Sequence, residues 1–244
     1  MGGTYAVIIP AYNEAQYLLR TLDAVQAAMN ALETKFSGRL VVVDNNSTDD
    51  TAQLAKNFGA EVVFEAHNQI SRARNTGGEA HQGEDFLIFL DADTLLSEVH
   101  LLEVLELLQS GKYSGGGVLI DFDGPVPSLA RFFHASWNKL TVFRKWTAGA
   151  CIFCRREAFD ELGGFNEAVY AGEDVLFGHA LKKWGRAHKM KTAITKNAVL
   201  TSARKFEWFT NGQILWRLFS LLLMPWKIRS GKGLDFWYER PSTK

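Results

Sequence analysis

Net charge and internal repeats are both missing from this chain of 244 residues. Its 27 Lys and Arg residues are balanced by 27 Asp and Glu residues, so the formal net charge is zero. A general nucleic-acid-binding protein carries an excess of positive charge, and this balance argues against one. No linker, repeat or low-complexity block divides the sequence, which predicts one compact domain with a specialised second half.

The N-terminus lacks the pattern of a cleavable signal peptide, because Met1-Gly2-Gly3-Thr4 runs directly into an apolar segment. Hydrophobic residues make up 47% of the chain, which is ordinary for a globular protein and sufficient for a sizeable core. We therefore expect a cytoplasmic protein, with peripheral contact to the inner face of the cytoplasmic membrane as an open alternative.

Cysteine is scarce, and the two that occur, Cys151 and Cys154, form a Cys-x-x-Cys pattern. Such a pair can serve redox chemistry or bind a metal. Here the surrounding residues 150–154 read as a strand, on which residues three apart face opposite sides. A thioredoxin-type motif instead needs the start of a helix. The sequence therefore favours two buried core thiols in a reducing compartment.

The first half of the chain alternates between short apolar runs and segments whose apolar residues recur at helical spacing. We predict strands at residues 5–10, 40–44, 61–64 and 86–90, and helices from Asn13 to about Glu33, from Ser47 or Thr48 to Gly59, from Ser71 to His81, and from Leu101 to near Gly111. Asn13 is the expected N-cap of the first helix, with Gln16 completing a capping box. This alternation predicts an α/β fold with a parallel sheet and helices on both faces. From residues 115–117 onward we expect irregular segments around a helix at 128–144.

The most informative segment is Phe86-Leu87-Ile88-Phe89-Leu90-Asp91-Ala92-Asp93. Five apolar residues predict a buried strand, and two carboxylates follow at its C-terminal end, where ligands bind in open α/β sheets. Carboxylate oxygens at that edge suit a hydrated divalent cation and a phosphate. Asp is also common in the turns that end strands, so a structural role is the alternative.

Polar residues follow the other predicted strands as well, and the ends of parallel strands converge on one crevice. In chain order the motifs are Pro10-Ala11-Tyr12-Asn13-Glu14, Val43-Asp44-Asn45-Asn46-Ser47-Thr48-Asp49-Asp50-Thr51, Ala73-Arg74-Asn75, Asp91-Ala92-Asp93, Gly149-Ala150-Cys151, Gly163-Gly164-Phe165-Asn166-Glu167 and Gly172-Glu173-Asp174. Over about residues 4–185 they resemble the family-2 glycosyltransferases. The resemblance implies a GT-A fold, with a Rossmann-like donor half at about residues 1–110 and an acceptor half at about 111–205. It also implies transfer of a sugar from a nucleotide donor, with inversion at the anomeric carbon.

The resemblance assigns the nucleoside side of the donor to the first two strand ends. Pro10, Ala11 and Glu14 would border the nucleoside. Asp44 would accept a hydrogen bond from the base, and it can do so from uracil N3–H or guanine N1–H. UDP- and GDP-sugars are therefore the expected donors, used in cell-envelope glycan, glycolipid or polysaccharide synthesis.

The same resemblance assigns the sugar and diphosphate to the third helix and the Asp-x-Asp segment. Arg72 or Arg74 would lie beside the nucleotide, and a solvated helix face is the alternative for either. Asp91 would contact the ribose or the donor sugar, with Ala92 beside it, and Asp93 would hold a Mn²⁺ or Mg²⁺ ion. That ion would stabilise the negative charge that a departing nucleoside diphosphate accumulates.

A second acidic centre, Glu173-Asp174, precedes a segment of helical periodicity. The resemblance makes Asp174 the general base that deprotonates the acceptor hydroxyl, and Glu173 a group that positions the acceptor. Two acids at a helix start are also stabilised by the helix dipole, which is the structural alternative. Further on, Arg204 and Lys205 stand where some relatives carry a basic residue or a histidine near the pyrophosphate. No histidine occurs there, which leaves the rest of the metal shell open.

The C-terminal tail, residues 206–244, is rich in large apolar residues followed by Lys227, Arg229 and Lys232. Its longest apolar run is interrupted by Arg217 and ends at Pro225, which is too short to span a membrane. It could lie in a membrane interface, suiting a lipid-linked acceptor, or pack on the catalytic domain or another subunit.

Acceptors consistent with the family are glycans, lipid-linked sugars and small molecules. Two other functions fit the sequence less fully. One is a nucleotidyltransferase, although such enzymes carry a Gly-rich, Arg-containing loop after the first strand. The other is a non-catalytic protein that binds sugar nucleotides or acts as a scaffold.

Overall fold

The structure is a computed structural model of the chain. It describes residues 2–145, 147, 149–204 and 208, and within the helix at 128–144 it describes no side chain at positions 128, 129, 132, 133, 137 or 144. The predicted tail, residues 206–244, therefore lies outside the described residues except for Trp208. No helix in the described ranges is long and apolar enough to cross a membrane.

Strands and helices alternate through most of the described chain. In order they are β1 (Thr4–Ala11), α1 (Leu18–Leu32), β2 (Ser37–Asp44), α2 (Thr51–Phe58), β3 (Glu61–Phe64), α3 (Ile70–Glu79), β4 (Phe86–Leu90), β5 (Thr94–Leu95), α4 (Glu98–Gln109), β6 (Tyr113–Phe122), α5 (Ser128–Arg144), β7 (Cys151–Arg155), α6 (Arg156–Leu162), α7 (Glu173–Ala187) and β8 (Lys191–Thr201).

These strands form one sheet in the order β3-β2-β1-β4-β7-β6-β8-β5. The predicted parallel arrangement of the first four is confirmed, because β1 pairs in parallel with β2 and β4, and β2 with β3. Strand β7 then runs antiparallel to both of its neighbours, β4 and β6, while β6 and β8 are parallel. Strands β1, β2, β4, β6 and β8 consequently all end at the same edge of the sheet.

Helices cover both faces of the sheet, as predicted, and strand β4 shows how the two cores are divided. Phe86, Ile88 and Leu90 belong to the apolar core formed with α1 and α4, whereas Leu87 and Phe89 belong to the core formed with α3, α6 and α7. All five side chains are buried. A strand covered on both faces reads as a continuous apolar run, and for this reason β4 was recognisable from the sequence.

The two cysteines are free and buried on opposite faces of β7. Cys151 lies in the core with α1 and α4, and Cys154 in the core with α3, α6 and α7. Burial in apolar surroundings raises the pKa of each thiol above its ordinary range, which keeps both protonated. The prediction of two core thiols, rather than a redox or metal pair, is confirmed.

The predicted starts of the first two helices are wrong, because the polar residues there join two loops instead. Helix α1 begins at Leu18 with no side-chain cap, and α2 begins at Thr51 after Asp50. Asn13 has a φ of 52°, its backbone N–H donates to Ser47 Oγ (3.0 Å), and its side-chain oxygen accepts from Thr48 N–H (2.8 Å). These contacts join the loops that follow β1 and β2.

The prediction of irregular structure from residue 115 onward is also wrong, because that segment forms strand β6. The glycines permit close packing rather than a turn. A Cβ on Gly116 would lie 1.8 Å from the carbonyl oxygen of Ala193 in β8, and one on Gly115 would lie 2.3 Å from the carbonyl oxygen of Phe153 in β7. Strand β8 was not predicted. The helix predicted at 128–144 is confirmed as α5.

Candidate functional site

The Asp-x-Asp segment forms a tight turn at the shared edge of the sheet. Asp91 N–H donates to the carbonyl of Ala150 (2.8 Å), just before β7, and the carbonyl of Asp91 accepts from Thr94 N–H (3.1 Å). The segment is therefore a strand-ending turn in its backbone, as the structural alternative proposed. Its two carboxylates nonetheless reach different partners, and each lies beside a buried arginine.

Arg74 joins Asp91 to the second acidic centre. The Arg74 side chain, from α3, is 4% exposed, with Nη2 3.2 Å from Asp91 Oδ1 and Nη1 2.6 Å from Glu173 Oε1. Burial alone would lower the pKa of this guanidinium, but Glu173, Asp91 and Asp174 raise it and the net direction is upward. Its carbon atom Cζ lies 5.2 Å from the ring centroid of Phe165. One charged group therefore spans the gap between the two acidic centres.

Arg72, the other candidate arginine, lies on a different side of α3. Its Nη2 is 3.1 Å from Glu167 Oε2, and about a third or more of each of these side chains is exposed. Because this pair faces solvent, it corresponds to the solvated helix face that the sequence left open. The structure thus brings Arg74, and not Arg72, into contact with Asp91 and Glu173.

Glu173 and Asp174 occupy the first turn of α7, after Gly172, which has a φ of 76°. Glu173 is buried, and burial together with the charge of Asp174 raises its carboxyl pKa to about 7, although Arg74 acts in the opposite direction. Asp174 is only half-buried; its Oδ2 accepts from Gly149 N–H (3.1 Å) and its Oδ1 from Val175 N–H (2.7 Å). Two adjacent acids at one helix start thus have different environments.

Arg204, just beyond β8, holds the other aspartate of the turn. Its Nη1 and Nη2 lie 2.5 and 2.6 Å from the two carboxylate oxygens of Glu14, and Nη2 lies 3.0 Å from Asp93 Oδ2. The guanidinium carbon is 4.5 Å from the ring centroid of Tyr17 and 5.2 Å from that of Trp208. The side chains of Arg204 and Glu14 are at most 5% exposed. This bidentate ion pair ties the loop after β1 to the end of β8.

The nucleoside-side residues meet at adjacent strand ends. Ala11 at the end of β1 is in register with Asp44 at the end of β2, and Pro10 with Val43. Asp44 is buried, and one of its oxygens accepts from Ser47 N–H (3.1 Å). The structure therefore brings Pro10, Ala11 and Asp44 to one edge, while the carboxylate of Glu14 turns to Arg204.

Two residues of the quoted motifs received no role from the sequence but support the site. Gly149, whose φ is 115°, supplies the N–H that contacts Asp174. The Asn75 amide bonds both backbone groups of Phe165, donating to its carbonyl (2.9 Å) and accepting from its N–H (2.7 Å), which fixes the ring beside Arg74. In the sequence, Gly149 is a glycine before a strand and Asn75 is an asparagine inside a helix. Neither signal indicates which residue the side chain or backbone would contact.

The charges at the edge fit a divalent cation. Five carboxylates, those of Glu14, Asp91, Asp93, Glu173 and Asp174, face two guanidinium groups. No group of three or more potential ligands is arranged as a metal cage within the described residues. Mg²⁺ characteristically takes one or two carboxylates from the protein and the rest of its shell from phosphates and water. Asp93 therefore suits an ion that binds together with a diphosphate.

A groove of about 510 Å³ opens beside this edge, between the end of β6 and α5. It is lined by Ile120, Asp121, Phe122, Gly124, Val126, Arg131, His134, Ala135, Asn138 and Ala198. A Cβ on Gly149 would lie 3.4 Å from Cγ2 of Ile120, and one on Gly124 would lie 3.2 Å from Cβ of Ala203. The groove wall thus contacts Gly149, which donates to Asp174, and Ala203, which precedes Arg204.

The chain is matched by the family model described as Glycosyl transferase family 2, over residues 6–163. That range covers more than half of the chain. The chain therefore belongs to glycosyltransferase family 2, in agreement with the motifs and the fold.

Curated relatives and a solved structure agree with this assignment. Glycosyltransferase AglE of Haloferax volcanii is 28% identical over 181 residues, covering 70% of this chain and 58% of AglE. The O-antigen chain rhamnosyltransferase RfbN of Salmonella typhimurium is 26% identical over 220 residues, covering 82% of this chain and 66% of RfbN. The chain thus spans about three fifths to two thirds of the length of these relatives.

The mannosyltransferase PcManGT from Pyrobaculum calidifontis, solved in complex with GDP-Man and Mn²⁺, superposes with a TM-score of 0.65 at 23% identity. The match covers 89% of this chain and 61% of PcManGT. At this level of identity the likeness concerns the fold, and it confirms the predicted GT-A type architecture.

Proposed function

We propose that this protein transfers a sugar from a UDP- or GDP-sugar to an acceptor hydroxyl, with inversion at the anomeric carbon. The observation that carries the proposal is Arg74, whose two terminal nitrogens contact Asp91 and Glu173 at 3.2 and 2.6 Å. A single guanidinium is only a few ångströms wide, so the donor-side aspartates and the acids of α7 flank one reaction centre. Inverting transfer needs a leaving group and a base at one carbon.

The donor would lie across the ends of β1, β2 and β4. Pro10 and Ala11 border the nucleoside in this proposal, and Asp44 accepts from the base. Asp44 does not discriminate uracil from guanine, because each offers one ring N–H to a carboxylate. PcManGT was solved with GDP-Man, which supports guanine as one of the two expected bases.

The sugar and diphosphate would lie beside the Asp-x-Asp turn. Asp91 and Ala92 contact the ribose or sugar, and Arg74 and Arg204 provide positive charge near the diphosphate. Asp93 would hold Mn²⁺ or Mg²⁺, and PcManGT was solved with Mn²⁺. Such an ion, when bound, offsets the negative charge that develops on the leaving diphosphate.

Asp174 is the proposed general base. Its half-buried carboxylate takes the proton of the acceptor hydroxyl as the acceptor oxygen bonds to the anomeric carbon. The bond from that carbon to the diphosphate breaks, and its electron pair leaves with the nucleoside diphosphate. The N–H groups of Gly149 and Val175 orient the Asp174 carboxylate, while Glu173, held by Arg74, positions the acceptor.

The acceptor would bind in the half formed by residues 111–205, where the groove between β6 and α5 offers polar and aromatic groups next to this base. A glycan, a lipid-linked sugar or a small molecule is the expected acceptor, in cell-envelope glycan, glycolipid or polysaccharide synthesis. RfbN is named as an O-antigen chain rhamnosyltransferase, which supports an envelope glycan. We further propose a cytoplasmic location, with a tail at 206–244 that contacts the membrane or a second subunit.

A non-catalytic sugar-nucleotide-binding protein is the second candidate. The observation in its favour is the Arg204 guanidinium, which already contacts Asp93 and thereby competes with a metal ion for the same carboxylate. A protein of that kind would bind donor without metal and release no nucleoside diphosphate.

A thermal-shift screen distinguishes the two candidates. UDP-, GDP-, dTDP- and CDP-sugars are each tested with and without Mn²⁺. A donor at 100 times its dissociation constant stabilises the fold by about 2.7 kcal/mol, which raises the Tm of a domain of this size by roughly 5–11 °C. We expect a Mn²⁺-dependent shift with one donor class that disappears in Asp93→Ala and persists in Asp160→Ala, an exposed control. A shift that is independent of Mn²⁺ and of Asp93 would favour the binding protein.

A further inference from the structure

Helix α5 exposes three large apolar side chains near its C-terminal end. Leu140 is 37% exposed, Val142 50% and Phe143 81%. At 100° per residue these three positions and Lys139 fall on one half of the helix surface, and buried Thr141 falls on the other. The exposed apolar residues therefore form one continuous face.

The sequence of this helix and its C-cap contains basic residues and no acidic ones. Residues 128–145 contain Arg131, Lys139, Arg144 and Lys145 and no Asp or Glu, although the chain as a whole is balanced. Two of these, Lys139 and Lys145, directly flank the apolar face in sequence. The face thus combines exposed apolar groups with positive charge.

The two other described apolar side chains that are more than half exposed have acidic neighbours. Phe64 is 61% exposed and precedes Glu65, and Val99 is 59% exposed and follows Glu98. An anionic surface would repel those positions and attract the α5 face. Exposure of a single apolar side chain is ordinary for a globular protein, whereas three on one basic face is a feature to explain.

We propose that the α5 face, comprising Lys139, Leu140, Val142 and Phe143, docks on the surface of an anionic lipid bilayer, with Lys145 following directly after the end of the helix. Phe143 and its apolar neighbours enter the interface, and the two lysines keep their charges at the level of the headgroups. Three apolar residues at the end of one helix are few for a stable protein–protein interface, which uses about 20–30 residues a side. They suffice for a weak interfacial contact reinforced by charge.

With α5 docked in this way, the groove between the end of β6 and α5 would lie next to the lipid surface. His134 and Asn138, on the opposite side of α5, contact the carbonyl of Ile120 in the groove wall, at 2.9 and 3.0 Å. The helix therefore stands between the groove and the proposed bilayer contact. The docking itself does not depend on the proposed transferase activity.

Co-sedimentation of the 244-residue chain with vesicles tests the proposal. Vesicles of phosphatidylcholine alone are compared with vesicles that also contain phosphatidylglycerol, at low and at high salt. We expect binding to the anionic vesicles that weakens with salt. Phe143→Ser should reduce the partition coefficient about tenfold or more, and Lys139→Gln or Lys145→Gln about fivefold each. Phe64→Ser, which removes another exposed aromatic ring elsewhere on the surface, should leave the partition coefficient unchanged.

Three results would overturn the inference. The first is no binding to anionic vesicles. The second is binding that is unchanged in Phe143→Ser and Lys139→Gln but lost when residues 209–244 are removed, which would assign the contact to the tail. The third is a dimer in light scattering that Phe143→Ser dissociates while vesicle binding persists, which would make a second copy the occupant. The melting temperature of each variant serves as the folding control.

Discussion

Two buried arginines lie at the edge of the sheet, and they hold their carboxylates in different ways. The terminal nitrogens of Arg204 lie 2.5 to 3.0 Å from both carboxylate oxygens of Glu14 and from one carboxylate oxygen of Asp93. Arg74 makes one contact each to Asp91 and Glu173, and Glu173 retains a carboxyl pKa of about 7. The first centre therefore resembles a structural clamp, whereas the second keeps an acid that can change its charge near neutral pH.

This difference indicates where rigidity and reactivity are located. The Arg204 clamp joins the chain at Glu14 to the chain beyond β8 and so fixes the donor end of the crevice. The Arg74 centre adjoins Asp174, whose half-buried carboxylate is the proposed base. Loss of the clamp should mainly destabilise the fold, and changes at the Arg74 centre should mainly alter pH dependence and turnover.

Arg204→Ala is expected to give the largest effect on stability. It leaves the buried carboxylate of Glu14 and the half-buried carboxylate of Asp93 without a cation, and breaking a buried pair such as Arg204–Glu14 costs about 3–5 kcal/mol. Urea unfolding measures the change. Arg20→Ala is the matched control, because Arg20 also contacts a carboxylate at 2.7 Å but is 59% exposed; its loss should cost under about 1 kcal/mol. Equal losses in the two variants would refute the clamp.

The pH dependence of stability should reveal Glu173. Burial and the charge of Asp174 raise the pKa of Glu173 from its ordinary value of 4.5 to about 7 in the folded protein, so the folded state binds the proton more tightly than the unfolded chain does. This contribution to stability is fully present below pH 4.5 and is lost as pH rises towards 7, by an amount on the order of 3 kcal/mol. Glu173→Gln should flatten the decline in the unfolding free energy over that range. An unchanged pH profile would mean that Glu173 is ionised throughout.

Arg72→Ala is expected to have the smallest effect. Its pair with Glu167 is partly exposed, and such pairs contribute about 0–1 kcal/mol. Donor binding in the thermal-shift screen should stay as in the wild type. Arg74→Ala, by contrast, should lose the donor-dependent shift. If Arg72→Ala lost donor binding and Arg74→Ala kept it, the assignment of the two arginines would be reversed.

The donor half could be predicted from sequence because its signals are local. Strand β4 is apolar throughout, since both faces are covered, and Asp91 and Asp93 follow it directly. Other features depended on contacts between distant segments. The choice between Arg74 and Arg72 required the position of Glu173, which lies a hundred residues further on, and Arg204 reaches Glu14 across most of the chain.

The predictions that were wrong have the same origin. Gly115 and Gly116 carry the usual signal of a turn, but here they let β6 approach the backbones of β7 and β8. Likewise Asn13 has the character of a helix N-cap, and its side chain is used instead by Thr48 in the neighbouring loop. The residue type indicates which kinds of contact a side chain can make, but the tertiary structure determines which residue it contacts.

Asp174→Asn tests whether the Asp174 carboxylate is the general base of the proposed sugar transfer. The release of UDP or GDP from the donor identified by thermal shift is measured with Mn²⁺, beside the same variant's donor-dependent Tm shift, with exposed Asp160→Asn as control. We expect release to fall by about 10²–10⁴-fold while the donor-dependent shift is retained. Release at the wild-type rate in Asp174→Asn would show that the Asp174 carboxylate is not the base.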